Sequence, residues 1–181
     1  VQYVHDASET TSDSIALSLA DGGENSATAA TGTFSITVTA INDSPVIATN
    51  TGGTVAEGGT LTITTAMLNE GDPDDSGAGL TYSVTTASSN GRLELSSAAG
   101  VSIASFTQAD VDAGIVQYVH DASETTSDSI ALSLADGGEN SATAATGTFS
   151  IAITAVNDAP VGAAAAGTLA YTENDTATVI D

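Results

Sequence analysis

The sequence predicts an all-β protein made of tandem seven-stranded Greek-key β-sandwiches. Three observations predict it. Short segments rich in Val, Ile, Leu and Thr alternate apolar and polar residues and stop at Gly, Asn, Asp or Pro, as half-buried strands do. About seven such segments fall within roughly 115 residues, the count and length of an immunoglobulin-like sandwich. The block then recurs, because residues 1–36 are repeated unchanged at 116–151. A period of about 115 residues is too long for a solenoid unit and fits a small domain.

The elements follow in order. Residues 60–64 (Thr-Leu-Thr-Ile-Thr), 80–86 (Leu-Thr-Tyr-Ser-Val-Thr-Thr) and 92–95 (Arg-Leu-Glu-Leu) alternate and read as strands. Residues 116–119, 129–134 and 148–155 complete the set. Asn90-Gly91 lies between two of these strands and predicts a tight hairpin, since both residue types tolerate positive φ. Two short segments read as helical. Residues 65–69 follow a strand, and residues 107–114 open on Thr107 as a cap and close on Gly114 as a stop.

The repeat sets the expected domain organisation. Beyond residue 36 the two copies differ only at Thr37/Ala152, Val38/Ile153 and Ile41/Val156 as far as Asp43 and Asp158. Asn42-Asp43-Ser44-Pro45 matches Asn157-Asp158-Ala159-Pro160, and residues 55–58 are echoed at 170–174. Residues 1–43 are then the C-terminal part of a preceding repeat, 44–158 a complete repeat, and 159–181 the N-terminal part of the following one. Such recent duplication reads as an excerpt from a longer array. A half-domain cannot bury its own core, so residues 1–43 alone should be unfolded or borrow strands.

Composition excludes several classes. The 181 residues carry 23 acids and one cation, Arg92, for a formal net charge of -22. A chain this acidic has no basic patch to neutralise phosphates, so nucleic acid is excluded as a partner. Its apolar runs are too short to span a bilayer, which excludes membrane insertion. Cys and Lys are absent, so neither a disulfide nor a Lys-derived cross-link can staple the fold. At 41% hydrophobic with organised patterns, it is no disordered acidic tail. His5 and His120 each precede an Asp with Ser nearby, but no nucleophile turn or oxyanion hole accompanies them, so no catalytic triad is expected. Each reads instead as a half-buried His at a strand end, bonded to a neighbouring loop. Arg92 is expected to pair with a nearby acid at the surface, where a pair contributes little.

Residues 105–121 (Ser-Phe-Thr-Gln-Ala-Asp-Val-Asp-Ala-Gly-Ile-Val-Gln-Tyr-Val-His-Asp), followed by Ser127-Asp128-Ser129, resemble the chondroitin-sulfate-proteoglycan-type repeat. Residues 80–84 and 90–95 fit it as well. This is a cadherin-like family found in animal matrix proteins and giant bacterial surface adhesins. The Asn-Asp-(Ser/Ala)-Pro junction, the duplication and the Lys-free composition look most like the arrays of bacterial RTX-type adhesins exported by type I secretion. The resemblance implies a non-enzymatic structural repeat at the bacterial cell surface, forming a Ca²⁺-rigidified rod that projects a binding region for adhesion or biofilm formation. Its implied partners are neighbouring repeats of the same chain, with other copies, through lateral or strand-edge contacts, as a second class. The alternative is a carbohydrate- or protein-binding module acting through the repeat itself.

In a seven-strand sandwich the loops alternate between two ends, and this turns the acids into a map. Asn42 and Asp43 in the incoming linker, Asp72, Asp74 and Asp75 after the second strand, and Asp136 between the last two strands fall at one end. Glu57 after the first strand, Asp121 and Glu124 after the fifth, and Asn157 and Asp158 in the outgoing linker fall at the other. Head-to-tail stacking would bring Asp6 and Glu9 of the earlier repeat to the first set. Oxygen donors of this type and number suit Ca²⁺, which takes six to eight oxygens flexibly. The family resemblance points the same way, because cadherin junctions place a Glu, an acidic loop, an Asp-x-Asp and an Asn/Asp linker at matching positions. Plain alternatives stand beside each ligand: a solvated turn at 72–75, a Gly-rich turn at Asp136, and a linker merely stiffened by Pro45 and Pro160.

Overall fold

The computed structural model describes residues 1–22, 25, 28–138 and 141–159. The strands are β1 (Ser12–Leu19), β2 (Ala30–Thr37), β3 (Ile47–Asn50), β4 (Gly53–Ala56), β5 (Thr60–Thr62) and β6 (Leu68–Glu70). They continue as β7 (Thr81–Thr86), β8 (Gly91–Leu95), β9 (Ser105–Thr107), β10 (Val116–His120), β11 (Ser127–Ala135) and β12 (Ala145–Thr154). One short helix, α1 (Gln108–Asp112), sits between β9 and β10.

Beyond the β1–β2 pair, the strands form a sandwich. One sheet runs β4-β12-β11-β7-β9 and the other β5-β10-β8, with β3 paired to β6 alongside. Every pairing is antiparallel except that of β4 with β12. The alternation read from the sequence is what fills the space between the sheets. Ile130, Leu132 and Leu134 of β11, Phe149, Ile151 and Ile153 of β12, and Val116 and Tyr118 of β10 all point into one buried cluster. Each contributes about 1.5–3 kcal/mol by leaving water. Tyr82 stacks on Phe106, ring centroids 5.0 Å apart, and sends its hydroxyl to Gln108 Oε1 at 3.0 Å.

The α1 segment behaves as its sequence predicts. Thr107 Oγ1 accepts from Asp110 N, Asp110 Oδ2 accepts from Thr107 N, and Gly114 leaves the helix at φ 65°. Residues 65–69 do not form a helix. Met67 N and Leu68 N both donate to Thr64 O, which closes a single turn. Leu68 then enters β6, because pairing with Asn50 of β3 and full burial win over local helix propensity.

The expected Asn90-Gly91 hairpin is also corrected. Strands β7 and β8 lie in different sheets, so this turn crosses between sheets rather than joining antiparallel neighbours. Neither residue takes a positive φ. Asp128 captures the backbone N–H groups of Ser89 and Asn90 at 3.1 and 2.9 Å. A Cβ on Gly91 would lie 2.5 Å from Val119 O and 2.6 Å from the Tyr118 ring. Glycine is needed there for close approach, not for turn geometry.

Arg92 pairs with a neighbouring acid as expected, its Nε donating to Glu94 Oε2 at 2.8 Å, but only the arginine is partly exposed; Glu94 is buried. Glu94 also accepts from Gly100 N at 2.8 Å. That bond first, and Arg92 after it, hold the carboxyl below the usual range against the opposing effect of burial.

Candidate metal centre

At one end of the sandwich the chain enters through Asn42 and Asp43. Asn42 Nδ2 donates to Asp136 Oδ2 at 2.7 Å, and Asp43 N donates to Asp74 Oδ2 at 2.7 Å. Asp136 is buried and its Oδ1 accepts from Gly138 N, so the bond from Asn42 and that from Gly138 hold its carboxyl below the ordinary range. The 72–75 loop folds around Asp72, whose Oδ1 accepts from both Asp74 N and Asp75 N at 2.8 Å. Asp72 Oδ2 is buried and has no hydrogen-bond partner among the described residues. Gly79 makes room for Asp75, since a Cβ there would sit 2.8 Å from Asp75 Oδ1. Glu9 reaches this group from the preceding segment. Repulsion by Asp74, and to a smaller degree by Asp43, raises its carboxyl above the usual range.

At the other end Glu57 N donates to Thr154 O, and Glu57 Oε2 accepts from Val156 N at 3.1 Å. Glu57, Glu124 and Asp158 each offer an oxygen, and these oxygens lie within 4.8 Å of one another. Glu124 is raised chiefly by the charge of Glu57, with Asp158 adding to it.

The two ends correspond through the repeat. Glu9 and Asp43 occupy the positions of Glu124 and Asp158 one period earlier. One Glu–Asp pair therefore faces Asp74 at the first end and Glu57 at the second.

The remaining expected ligands sit differently. Asp6 and Asp121 close local turns, accepting from Ser8 N at 3.1 Å and Ser123 N at 3.0 Å, and these serine bonds lower both carboxyls. Asp121 is not a member of the Glu57–Glu124–Asp158 group. Asn157 Nδ2 donates to Asp158 O at 3.4 Å. Residues 160–181 lie outside the described residues, as do Glu139 and Asn140.

Two polar residues matter more than the sequence alone suggests. Asp128 accepts from Ser89 N, Asn90 N, Tyr118 Oη and Ser129 N. Burial pushes its carboxyl up, but these bonds, led by Asn90, bring it below the usual value. Gln108, fully buried, accepts from Glu70 N and donates to Asn69 Oδ1 and Asp112 Oδ1, joining β6 to α1. Both stand among the residues that carry the family resemblance, but nothing local marks either as a buried hub of hydrogen bonds.

A two-sheet sandwich with acids gathered at both ends, an early strand (β4) lying parallel to the last (β12), is the architecture of a cadherin-like repeat. Residues 45–153 match the Cadherin-like family model, and the chain belongs to that family. Human chondroitin sulfate proteoglycan 4 is 39% identical over 121 residues, 66% of this chain and 5% of the relative. Human extracellular matrix organizing protein FRAS1 is 37% identical over 126 residues, 69% of this chain and 3% of the relative. Extracellular matrix protein 3 of Lytechinus variegatus is 34% identical over 105 residues, 58% of this chain and 3% of the relative. The chain thus spans only 3–5% of these relatives' lengths. Among the described residues no helix is long and apolar enough to cross a membrane.

Proposed function

We propose that the chain is a stretch of a non-enzymatic extracellular rod whose cadherin-like repeats are stiffened at their junctions by Ca²⁺. In this reading residues 1–43 are the rear of one repeat, 44–158 a whole repeat and 159–181 the front of a third. The rod is that of a giant bacterial surface adhesin of the RTX type, serving adhesion or biofilm formation, and its first partners are its own neighbouring repeats. The family relatives that are matrix and proteoglycan proteins support the extracellular, structural part.

The observation that carries the reading is the shared Glu–Asp pair. A whole junction would combine the equivalents of Glu57, Glu124 and Asp158 with those of Asp72, Asp74 and Asp75 in the next repeat. The donors fit Ca²⁺, because all are oxygens, none is Cys or His, and Asp72 Oδ2 is a buried carboxylate oxygen with no donor among the described residues. Bound there, Ca²⁺ supplies the positive charge that this chain lacks, its single Arg92 being engaged by Glu94. The chain's own groups do the rest. Asn42 and the Asp43 N–H tie the linker to the Asp136 and Asp74 loops, and the Val156 N–H orients Glu57.

Calorimetric titration of CaCl₂ into the chain tests this, together with melting in Ca²⁺ and in chelator. Saturable heat between micromolar and millimolar Ca²⁺ is expected, with a melting temperature that rises with Ca²⁺ by mass action. No heat and identical melting in chelator would sink the reading.

A further inference from the structure

We propose that His120 is the positioning residue of the Glu57–Glu124–Asp158 set, an inference that rests on the calcium reading. His120 ends β10 with its side chain fully buried. Its Nδ1 accepts from two backbone donors, Gly58 N at 3.0 Å and Ala122 N at 3.2 Å. Two N–H groups aimed at one ring nitrogen require that nitrogen to be unprotonated, so the ring hydrogen is assigned to Nε2. Nε2 then donates to Thr125 Oγ1 at 3.0 Å. The backbone N–H of His120 adds a bond to Gly59 O at 3.0 Å.

These four partners are placed tellingly. Gly58 follows Glu57, and Ala122 and Thr125 bracket Glu124. One ring thus fastens the turn that carries Glu57 to the loop that carries Glu124, two acids that repel each other. The backbone it joins is unusual: Gly58 lies at φ 66° and Ala122 at φ 65°. Ala7, one period earlier, takes φ 62° as well, so the left-handed residue belongs to the loop itself and the ring fastens that preformed loop to the Gly58 turn. His5, one period earlier, keeps the bond to Thr10 at 3.1 Å without a Gly58 counterpart among the described residues.

The test compares the unsubstituted chain with His120→Phe, His120→Asn and Thr125→Val by residue-resolved NMR. Asn keeps an acceptor near the Nδ1 position, whereas Phe fills the space without one. Amide exchange of Gly58 and Ala122 is measured without Ca²⁺, and CaCl₂ is then titrated while both acidic ends are followed. For His120→Phe, exchange of both amides should speed at least about tenfold. The Ca²⁺ midpoint at Glu57, Glu124 and Asp158 should rise about tenfold, the low end of the cost of losing a group that orients metal ligands. The midpoint at Asp43, Asp74 and Asp136 should not move. His120→Asn should restore both readings, and Thr125→Val should shift them in the same direction by less, which serves if His120→Phe does not fold. A Ca²⁺ response that His120→Phe or Thr125→Val leaves untouched at the Glu57 end overturns the positioning role. No Ca²⁺ response in the unsubstituted chain overturns the calcium reading itself.

Discussion

Strands β1–β2 and β11–β12 pose a natural comparison. They share almost every residue and the same register, Ile15 opposite Phe34 and Ile130 opposite Phe149. Their surroundings differ completely. Leu19 is 77% exposed and Leu134 0%; Phe34 is 59% exposed and Phe149 0%. Hairpin pairing is thus written locally, while burial is a property of what lies opposite. For β11–β12 that is β4 and β7 along the edges and the β5-β10-β8 sheet across the core. The Glu–Asp pair finds an acidic partner at both ends even though only one hairpin is covered.

The sharpest way to break this comparison is to truncate equivalent leucines. Leu134→Ala should cost about 2–5 kcal/mol, the range for emptying a packed site. Leu19→Ala should change stability by no more than about 0.5 kcal/mol, as exposed substitutions do. Chemical denaturation of the two variants measures both, and equal effects would end the distinction drawn between the hairpins.

A second pair sharpens it. Asp128→Ala removes the acceptor from Ser89 N, Asn90 N and Tyr118 Oη and should cost about 2–3 kcal/mol by leaving donors unmet. Asp13 occupies the same repeat position and accepts from Tyr3 Oη and Ser14 N. Asp13→Ala should cost a fraction of that in the same denaturation experiment.

The smallest effect concerns pH. Glu9 and Glu124 are raised by acidic neighbours, so the folded chain binds their protons more readily than the unfolded one. Their contribution favours folding below the ordinary Glu range and is lost as pH rises through the raised folded values. In chelator, melting temperature should therefore climb modestly as pH falls from neutral toward that range. Ca²⁺ should flatten the trend, and Glu124→Gln should weaken it. A chelator profile that falls with acidification over this interval contradicts the repulsion at both ends.

Much of the fold was legible because alternation reports which face is buried. Residues 129–134 and 148–155 read correctly as strands for that reason. The expected placing of acids at two ends rested on the sandwich's strand order together with the family resemblance. The misreadings share one cause, the choice of a distant partner. Asn90-Gly91 carries the chemistry of a hairpin, but Asp128, from another strand, claims its backbone. Residues 65–69 have helical character, but β3 recruits Leu68. His120 could be placed at a strand end beside a loop, yet nothing local shows that its two nitrogens hold two acidic loops together. The pairing of Arg92 with an acid was legible, but the burial of Glu94 was not, since it depends on the loop that reaches it through Gly100.

The parallel pairing of β4 with β12 has a mechanical consequence. Ile151 to Thr154 lie opposite Gly53 to Ala56, near the entry and exit of the sandwich. In parallel strands a pull on the N-terminal side of β4 and the C-terminal side of β12 slides one strand along the other. The bonds between them then bear the load together, in shear, rather than opening one at a time from an end. The pair that closes the sheet is therefore also the element best placed to resist tension along the chain.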